Sequence, residues 1–174
     1  MKVFILIFIS LIFFGTNAQP ASNLSLGHLE EIANRKKIVY KRDSEFAPSS
    51  PFNDKLFIDF NNSISDVELL SLTEHRDAYV RCFAFQALVQ RKHPDTFSIL
   101  LIHLTEYDLV KIHLNDTSSS SYVGDYFLIL VNPENVWSDI KKLSGAERRA
   151  INHLLLANNE NKLVAKSDLL RGKK

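Results

Sequence analysis

The sequence predicts an all-α fold made of stacked antiparallel helical hairpins, and three observations support this prediction. Apolar residues recur with helical spacing in five segments, each of which has a recognisable start. Only five glycines and five prolines occur among 174 residues, which suits helices better than a turn-rich sandwich. The stretch Leu72–Leu88 is partly echoed by Leu104–Ile112, and such an echo indicates an internal repeat.

The N-terminus has the three parts of a secretory signal peptide. Lys2 supplies a minimal positive region, Val3–Phe14 is apolar except for one serine, and small residues end the segment at Ala18. The apolar run is shorter than the roughly 20 residues that a membrane span needs, although an uncleaved anchor is the competing interpretation. We therefore expect residues 1–18 to be a cleaved signal peptide. The expected location is outside the cytoplasm, periplasmic or secreted, in a bacterium.

The charge balance and the single cysteine limit the classes of function. Without residues 1–18 the chain has 20 basic and 20 acidic residues, because only Lys2 is lost. A neutral chain offers no bulk attraction to the phosphates of nucleic acid, so we expect no nucleic-acid partner. Cys82 is the only cysteine, which excludes an internal disulfide and leaves apolar packing to hold the domain together.

The predicted organisation has an N-terminal part, residues 19–53, and a helical domain, residues 54–174. The first part contains a helix that begins near Ser22 or Ser25, followed by a Pro/Ser-rich loop over Lys41–Asn53. The helical domain has five helix starts or apolar stripes with a clear pattern. They are the capping box of Ser65 with Glu68, the cap Asp77, Pro94, the stripe Val123–Leu130, and the capping box of Ser144 with Glu147.

Four further segments have weaker patterns. Leu56–Phe60 and Val110–Leu114 each alternate like a strand, but both runs are too short for periodicity to decide between helix and strand. Asn132-Pro133 predicts the start of a short helix that reaches Leu143. Leu163–Leu170 predicts a last helix, ahead of a basic C-terminus.

The repeat itself resembles a known family. The pattern Asp77-x-x-Val80-Arg81-x-x-Ala84-x-x-Ala87-Leu88 is similar to the second helix of a HEAT-type (armadillo-like) repeat. Its second copy matches at Leu104-Thr105-Glu106 and Val110-Lys111, and is then interrupted by Asn115–Ser121. The resemblance implies an α-α superhelix with a concave surface for protein partners, in which Asp77 caps the helix and Arg81 lies within the helix layer.

No residues form a recognised catalytic or metal-binding motif. The six histidines show neither an HExxH pair nor a standard zinc spacing, so no metal or cofactor is expected: His28, His75, His93, His103, His113 and His153. Cys82 lies in an apolar helix, where a cysteine is usually a small buried hydrophobe. Ser118–Ser121 lacks a nucleophile-elbow frame and is expected to be a solvated loop.

Turn residues are the better candidates for function, because turns of stacked hairpins commonly line a binding face. The candidate binding residues are His75, Arg76, Tyr79, Asn115 and Asp116, and Tyr and Arg are types that concentrate interface energy. The leading hypothesis is an exported, non-catalytic protein-interaction module.

Two alternatives remain open. One is a small secreted hydrolase whose site forms only in three dimensions, with Ser121, His103 or Glu106 as members. The other is an inhibitor or immunity-type partner of a secreted enzyme.

Overall fold

The computed structural model describes residues 23–157, so the predicted signal peptide and the predicted helix Leu163–Leu170 lie outside the described residues. Within this range the chain forms seven α-helices, one short 3-10 turn and three strands. The helices are α1 (Asn23–Arg35), α2 (Lys55–Ser63), α3 (Asp66–Leu72), α4 (Ala78–Gln90), α5 (Thr96–His103), α6 (Val123–Val131) and α7 (Gly145–Ala157). The strands are β1 (Ile38–Tyr40), β2 (Leu109–Leu114) and β3 (Thr117–Tyr122), and the 3-10 turn is Pro51–Asn53.

The three strands form a mixed sheet, and the prediction of an all-α fold is therefore wrong. Strands β2 and β3 make an antiparallel hairpin in which Leu109 lies opposite Tyr122 and Leu114 opposite Thr117. Strand β1 pairs in parallel with the other edge of β2, with Ile38 beside Ile112. The HEAT-type, armadillo-like superhelix is wrong for the same reason: where the second copy of the repeat should continue as a helix, the chain forms this hairpin.

Helix α4 lies at the centre of the core. Every residue from Val80 to Val89 is buried, so the helix is covered all round instead of on one stripe. It packs against α3, α6, α1, α2, α5 and β2. Phe85 stacks on Phe127 of α6 with ring centroids 3.8 Å apart, and Phe83 makes edge contacts with Phe57 and Phe60 of α2. A central helix of this kind differs from a hairpin stack, in which each helix keeps one face toward solvent.

Polar side chains connect the core to the N-terminal part of the chain. Gln86 on α4 donates from Nε2 to the carbonyl of Pro51 at 2.8 Å and accepts at Oε1 from the Tyr126 hydroxyl at 2.7 Å. Burial raises the pKa of Tyr126 well above its usual value, so the hydroxyl remains a donor. Arg35 at the end of α1 also reaches back, with its Nη1 atom 2.5 Å from Oδ2 of the buried Asp54.

The predicted helix starts are mostly confirmed. Ser65 and Glu68 form a complete capping box at α3, and the backbone N–H of Ser144 donates to Glu147 while that of Glu147 donates to Ser144 at α7. Asp77 accepts from the backbone N–H groups of Tyr79 and Val80 at the start of α4. Helix α5 begins at Thr96, two positions beyond the predicted Pro94.

Two of the segments with weaker patterns form a different structure from the one that their pattern suggests. Leu56–Phe60 belongs to helix α2: Leu56, Phe57 and Phe60 are buried on one helical face, whereas Ile58 is 42% exposed. Residues 132–143 are irregular instead of helical, and Asp139 has a positive φ of 58°. Their backbone contacts the ends of two helices, since the Lys141 N–H donates to Val89 and the Leu143 N–H donates to Val131.

None of the helices described between residues 23 and 157 combines the length and apolar character needed to cross a membrane.

Candidate functional site

An open cleft of about 390 Å³ lies where the α3–α4 turn meets the link between α5 and β2. Both segments follow a helix end, and the buried start of α4 forms the floor between them. The lining residues are Glu74, His75, Arg76, Arg81, Ile102, His103, Thr105, Glu106 and Asp108. Charged side chains dominate this set, so its chemistry is set by how those charges pair.

Arg81 is the central cation of the cleft floor. Its Nη2 atom donates to Glu106 and, at 2.5 Å, to Oδ2 of Asp108, while Nη1 donates to the His75 carbonyl at 2.6 Å. The Arg81 side chain is only 8% exposed, and its Nε atom finds no acceptor among the described residues. A buried guanidinium needs paired carboxylates, so Arg81 and Glu106 hold each other in place.

His103 connects Glu106 to Glu74, which lies on the α3–α4 turn at the other side of the cleft. Its Nδ1 atom lies 2.6 Å from Oε2 of Glu106, and its Nε2 atom lies 3.2 Å from Oε1 of Glu74. The pKa of His103 is raised, mainly by the hydrogen bond to Glu106 and also by the charges of Glu106 and Glu74, against the opposing effect of burial. We call the five side chains Arg81, Glu106, Asp108, His103 and Glu74 the Arg81 network.

The internal sequence echo has a structural counterpart in this network. Leu72 is the last residue of α3 and is followed by Thr73-Glu74, whereas α5 ends at His103 and is followed by Leu104-Thr105-Glu106. The two glutamates of the echo therefore lie shortly after the ends of their helices, and both contact the same imidazole. The copies diverge immediately afterwards, because Val80 continues into a helix whereas Val110 enters strand β2.

Gly124 allows the end of α5 to approach α6 closely. A Cβ atom at this position would lie 2.6 Å from the Leu104 carbonyl oxygen and 2.7 Å from that of His103. The Gly124 N–H also donates to the Glu106 backbone carbonyl at 3.3 Å, and the Val123 N–H donates to the Asp108 backbone carbonyl at 3.0 Å. The first residues of α6 thus fix the segment that carries His103, Glu106 and Asp108.

The structure brings together only some of the predicted binding residues. His75 and Arg76 line the cleft. Tyr79 lies beside it, where its hydroxyl accepts from the Lys111 N–H at 3.1 Å and joins α4 to β2. Asn115 and Asp116 form the two-residue hairpin turn at the far end of β2, about 23 Å from Asp108 at the usual rise of a strand.

The structure shows the contacts of the two predicted structural residues. Asp77 is the cap of α4. Arg81 lies within the helix layer, and it binds Glu106 and Asp108 beyond α5.

The side chains considered for catalysis already bind other groups. His103 and Glu106 are in contact, but both ring nitrogens of His103 face carboxylates, and the Ser121 hydroxyl on β3 donates to the Tyr122 carbonyl. Ser118–Ser121 forms strand β3 instead of the expected loop. Burial raises the pKa of the Cys82 thiol, which keeps it protonated and unreactive.

No group of three or more His, Cys, Asp or Glu side chains within residues 23–157 is arranged to hold a metal ion. The carboxylates of Glu106 and Asp108, which are suitable oxygen donors, already bind the guanidinium of Arg81. The cleft therefore presents a paired network with exposed residues at its border.

That border contains apolar residues that the sequence did not single out. Ile102 on α5 lines the cleft and is 68% exposed. Tyr107 and Leu109 flank Asp108; both are exposed, and both lie against Tyr122, by an edge-on ring contact and by strand pairing respectively. Arg76 is exposed, and no hydrogen bond or ion pair engages its guanidinium within the described part of the chain.

Comparisons of the chain with protein-family models, with curated proteins and with solved structures gave no significant match.

Proposed function

We propose that this protein is a non-catalytic interaction module that binds another protein through the cleft border. The surface concerned consists of Arg76 and Ile102 at the mouth, with Tyr107 and Leu109 beside them. The proposal that it acts outside the cytoplasm, in a bacterial periplasm or as a secreted protein, depends on the predicted signal peptide of residues 1–18.

The observation that carries the proposal is the contrast between the floor and the border of the cleft. Inside the cleft, carboxylates contact Nη2 of Arg81 and both ring nitrogens of His103, so these atoms are already paired. At the border, an exposed guanidinium lies near an isoleucine that is 68% exposed. An exposed arginine beside apolar and tyrosine side chains is the composition of an interface hot spot.

The rigidity of the floor supports the same function. Binding loses less entropy when the contact residues are already fixed. The α3–α4 turn is held by the Arg81 bond to His75 and by the contact of Glu74 with His103. The α5–β2 link is held by Arg81 and by the first N–H groups of α6. The border residues are therefore presented on two fixed segments.

A comparison of surface variants tests this function. The tagged protein and the variants Arg76→Glu and Ile102→Asp are used to capture proteins from an extract of the cells that produce it. The matched controls are Arg149→Glu on α7 and Val67→Asp on α3, which change an arginine and a β-branched apolar residue at exposed positions elsewhere. We expect one protein to be captured by the unmodified chain and both controls, and to be lost with both cleft variants.

Circular dichroism and thermal melting establish that the variants remain folded. Capture that is equal for the cleft variants and the controls would refute the proposed surface. If the purified protein turned over a substrate and Arg76→Glu abolished that turnover, the function would be enzymatic and the proposed binding function would be wrong.

A further inference from the structure

His103 lies between two carboxylates, so the protonation state of its ring decides which hydrogen bonds it can make. A neutral imidazole has one N–H and one lone pair, whereas a carboxylate can only accept. Only the protonated ring can therefore donate to both Glu106 and Glu74, at the observed distances of 2.6 Å and 3.2 Å. In the neutral ring, one nitrogen lone pair would face a carboxylate oxygen.

The surrounding charges favour the protonated ring. Glu74 approaches from the α3–α4 turn, Glu106 and Asp108 from the α5–β2 link, and Arg81 from α4. Helix α6 contributes the uncharged ring of Phe127, whose centroid is 5.4 Å from that of His103. With a neutral imidazole, Arg81 is the only cation of the Arg81 network against three carboxylates.

The two carboxylate contacts of the ring differ in strength. Glu106 is also bound by Arg81, and its side chain is only 20% exposed, so it stays in place when the ring loses its proton. Glu74 makes the longer contact and is 65% exposed, so hydration can replace the ring as its partner. Loss of the proton therefore releases Glu74 first.

We propose that His103 is a proton-dependent clasp that holds the α3–α4 turn against the end of α5 and opens when the ring becomes neutral. The clasp controls the wall formed by Glu74, His75 and Arg76. It deepens the proposed function, since this wall carries Arg76, but the clasp itself involves only groups of this chain. A partner would therefore meet a fixed Arg76 at lower pH and a freer one at higher pH.

Nuclear magnetic resonance of the labelled protein alone tests the clasp. The imidazole signal of His103 and the backbone amide signals of Glu74, His75 and Arg76 are followed as a function of pH. We expect the ring to titrate above 6.5, the ordinary value for histidine, and the turn amides to shift with the same midpoint. In Glu74→Gln the ring midpoint should fall below that of the unmodified protein. In His103→Gln the shared transition of the turn should be lost.

The matched control is Glu30→Gln on an exposed position of α1, which should leave both titrations unchanged. Turn amides that do not share the midpoint of the ring would overturn the proposal, and so would a ring midpoint that Glu74→Gln leaves unaltered. Because Glu74→Gln changes an exposed side chain, the test does not depend on a buried substitution that could prevent folding. The experiment needs no partner, so its result and that of the capture experiment are independent.

Discussion

Arg81 and Glu106 form an ion pair between the central helix and a segment 25 positions later in the sequence. The arginine is almost completely buried, and the glutamate is mostly so. Glu106 also contacts His103 at the end of α5, and Arg81 also donates to the His75 carbonyl, so the pair connects α4 to both walls of the cleft.

The first prediction concerns the stability of this pair. Arg81→Ala should lower the free energy of unfolding by about 3 kcal/mol, because Glu106 and Asp108 would then face each other without a cation. Arg76→Ala should change it by no more than about 0.5 kcal/mol, since Arg76 is exposed. Urea denaturation of the two variants measures the difference, and equal midpoints would contradict the placement of Arg81.

The second prediction follows from the close approach at Gly124. Gly124→Ala should destabilise the fold by about 1–3 kcal/mol, because the added methyl would overlap two carbonyl oxygens at the end of α5. Gly27→Ala on α1 is the matched control: its Cβ would meet nothing within 4 Å, so the better helix propensity of alanine should stabilise the helix by up to about 1 kcal/mol. Thermal melting should show shifts of opposite sign for the two variants.

The third prediction concerns the buried hydrogen bonds of Gln86. Gln86→Leu should cost about 2 kcal/mol, because it leaves the Tyr126 hydroxyl and the Pro51 carbonyl without their partner. Tyr126→Phe should also destabilise the protein, by leaving Oε1 of Gln86 unpaired. The double variant should lose about 1 kcal/mol less than the two single losses added together, as measured by denaturant unfolding. Strict additivity would show that the two side chains do not interact.

The fourth prediction is a pH dependence of stability. The pKa of His103 is raised in the folded state, so its contribution is fully present below about pH 6.5, where the unfolded state is also protonated. The contribution should be lost as the pH rises through the folded-state value. The stability difference between the unmodified protein and His103→Gln should therefore shrink with rising pH. A difference that stays constant over this range would show that folding does not raise the pKa of the His103 ring.

The fifth prediction separates a turn role from a binding role at Asn115, which has a φ of 53°. Asn115→Gly should be tolerated, whereas Asn115→Val should cost about 1–2 kcal/mol, because a β-branched residue is strained in the left-handed region. If Asn115 serves only the turn, Asn115→Gly should leave partner capture unchanged. Loss of capture with Asn115→Gly would show that Asn115 is part of the binding surface.

The parts of the fold that the sequence predicted are those set by local interactions. The box of Ser65 and Glu68 and the cap Asp77 involve bonds within three residues, so their pattern is readable without tertiary structure. Strand β3 was missed because Ser118–Ser121 has no strong strand preference, and its conformation comes from pairing with β2. Ile58 similarly looked like part of an alternating run, although its exposure on α2 shows that the alternation was coincidental.

The candidate site was only partly accessible from the sequence. His75 and Arg76 were predicted from their position in a turn, and the cleft contains both. The shared contact of Glu74 and Glu106 with His103 had a signal, the repeated Leu-Thr-Glu, but its meaning depends on how closely α5 and α6 approach at Gly124. Ile102 had no signal at all, because its exposure is a result of which face of α5 the core covers.

The parallel pairing of β1 with β2 has a consequence for the order of folding. Helices α2–α5 lie between the two strands, so Ile38 can find Ile112 only after all four have been made. Contacts between distant parts of the chain form slowly, and synthesis delivers the chain from the N-terminus. A nascent chain that ends before Leu109 contains the residues of α1–α5 but lacks β2. Ile38, which is buried in the finished molecule, then has no Ile112 to lie beside. Synthesis of β2 is therefore the step that allows β1 to pair.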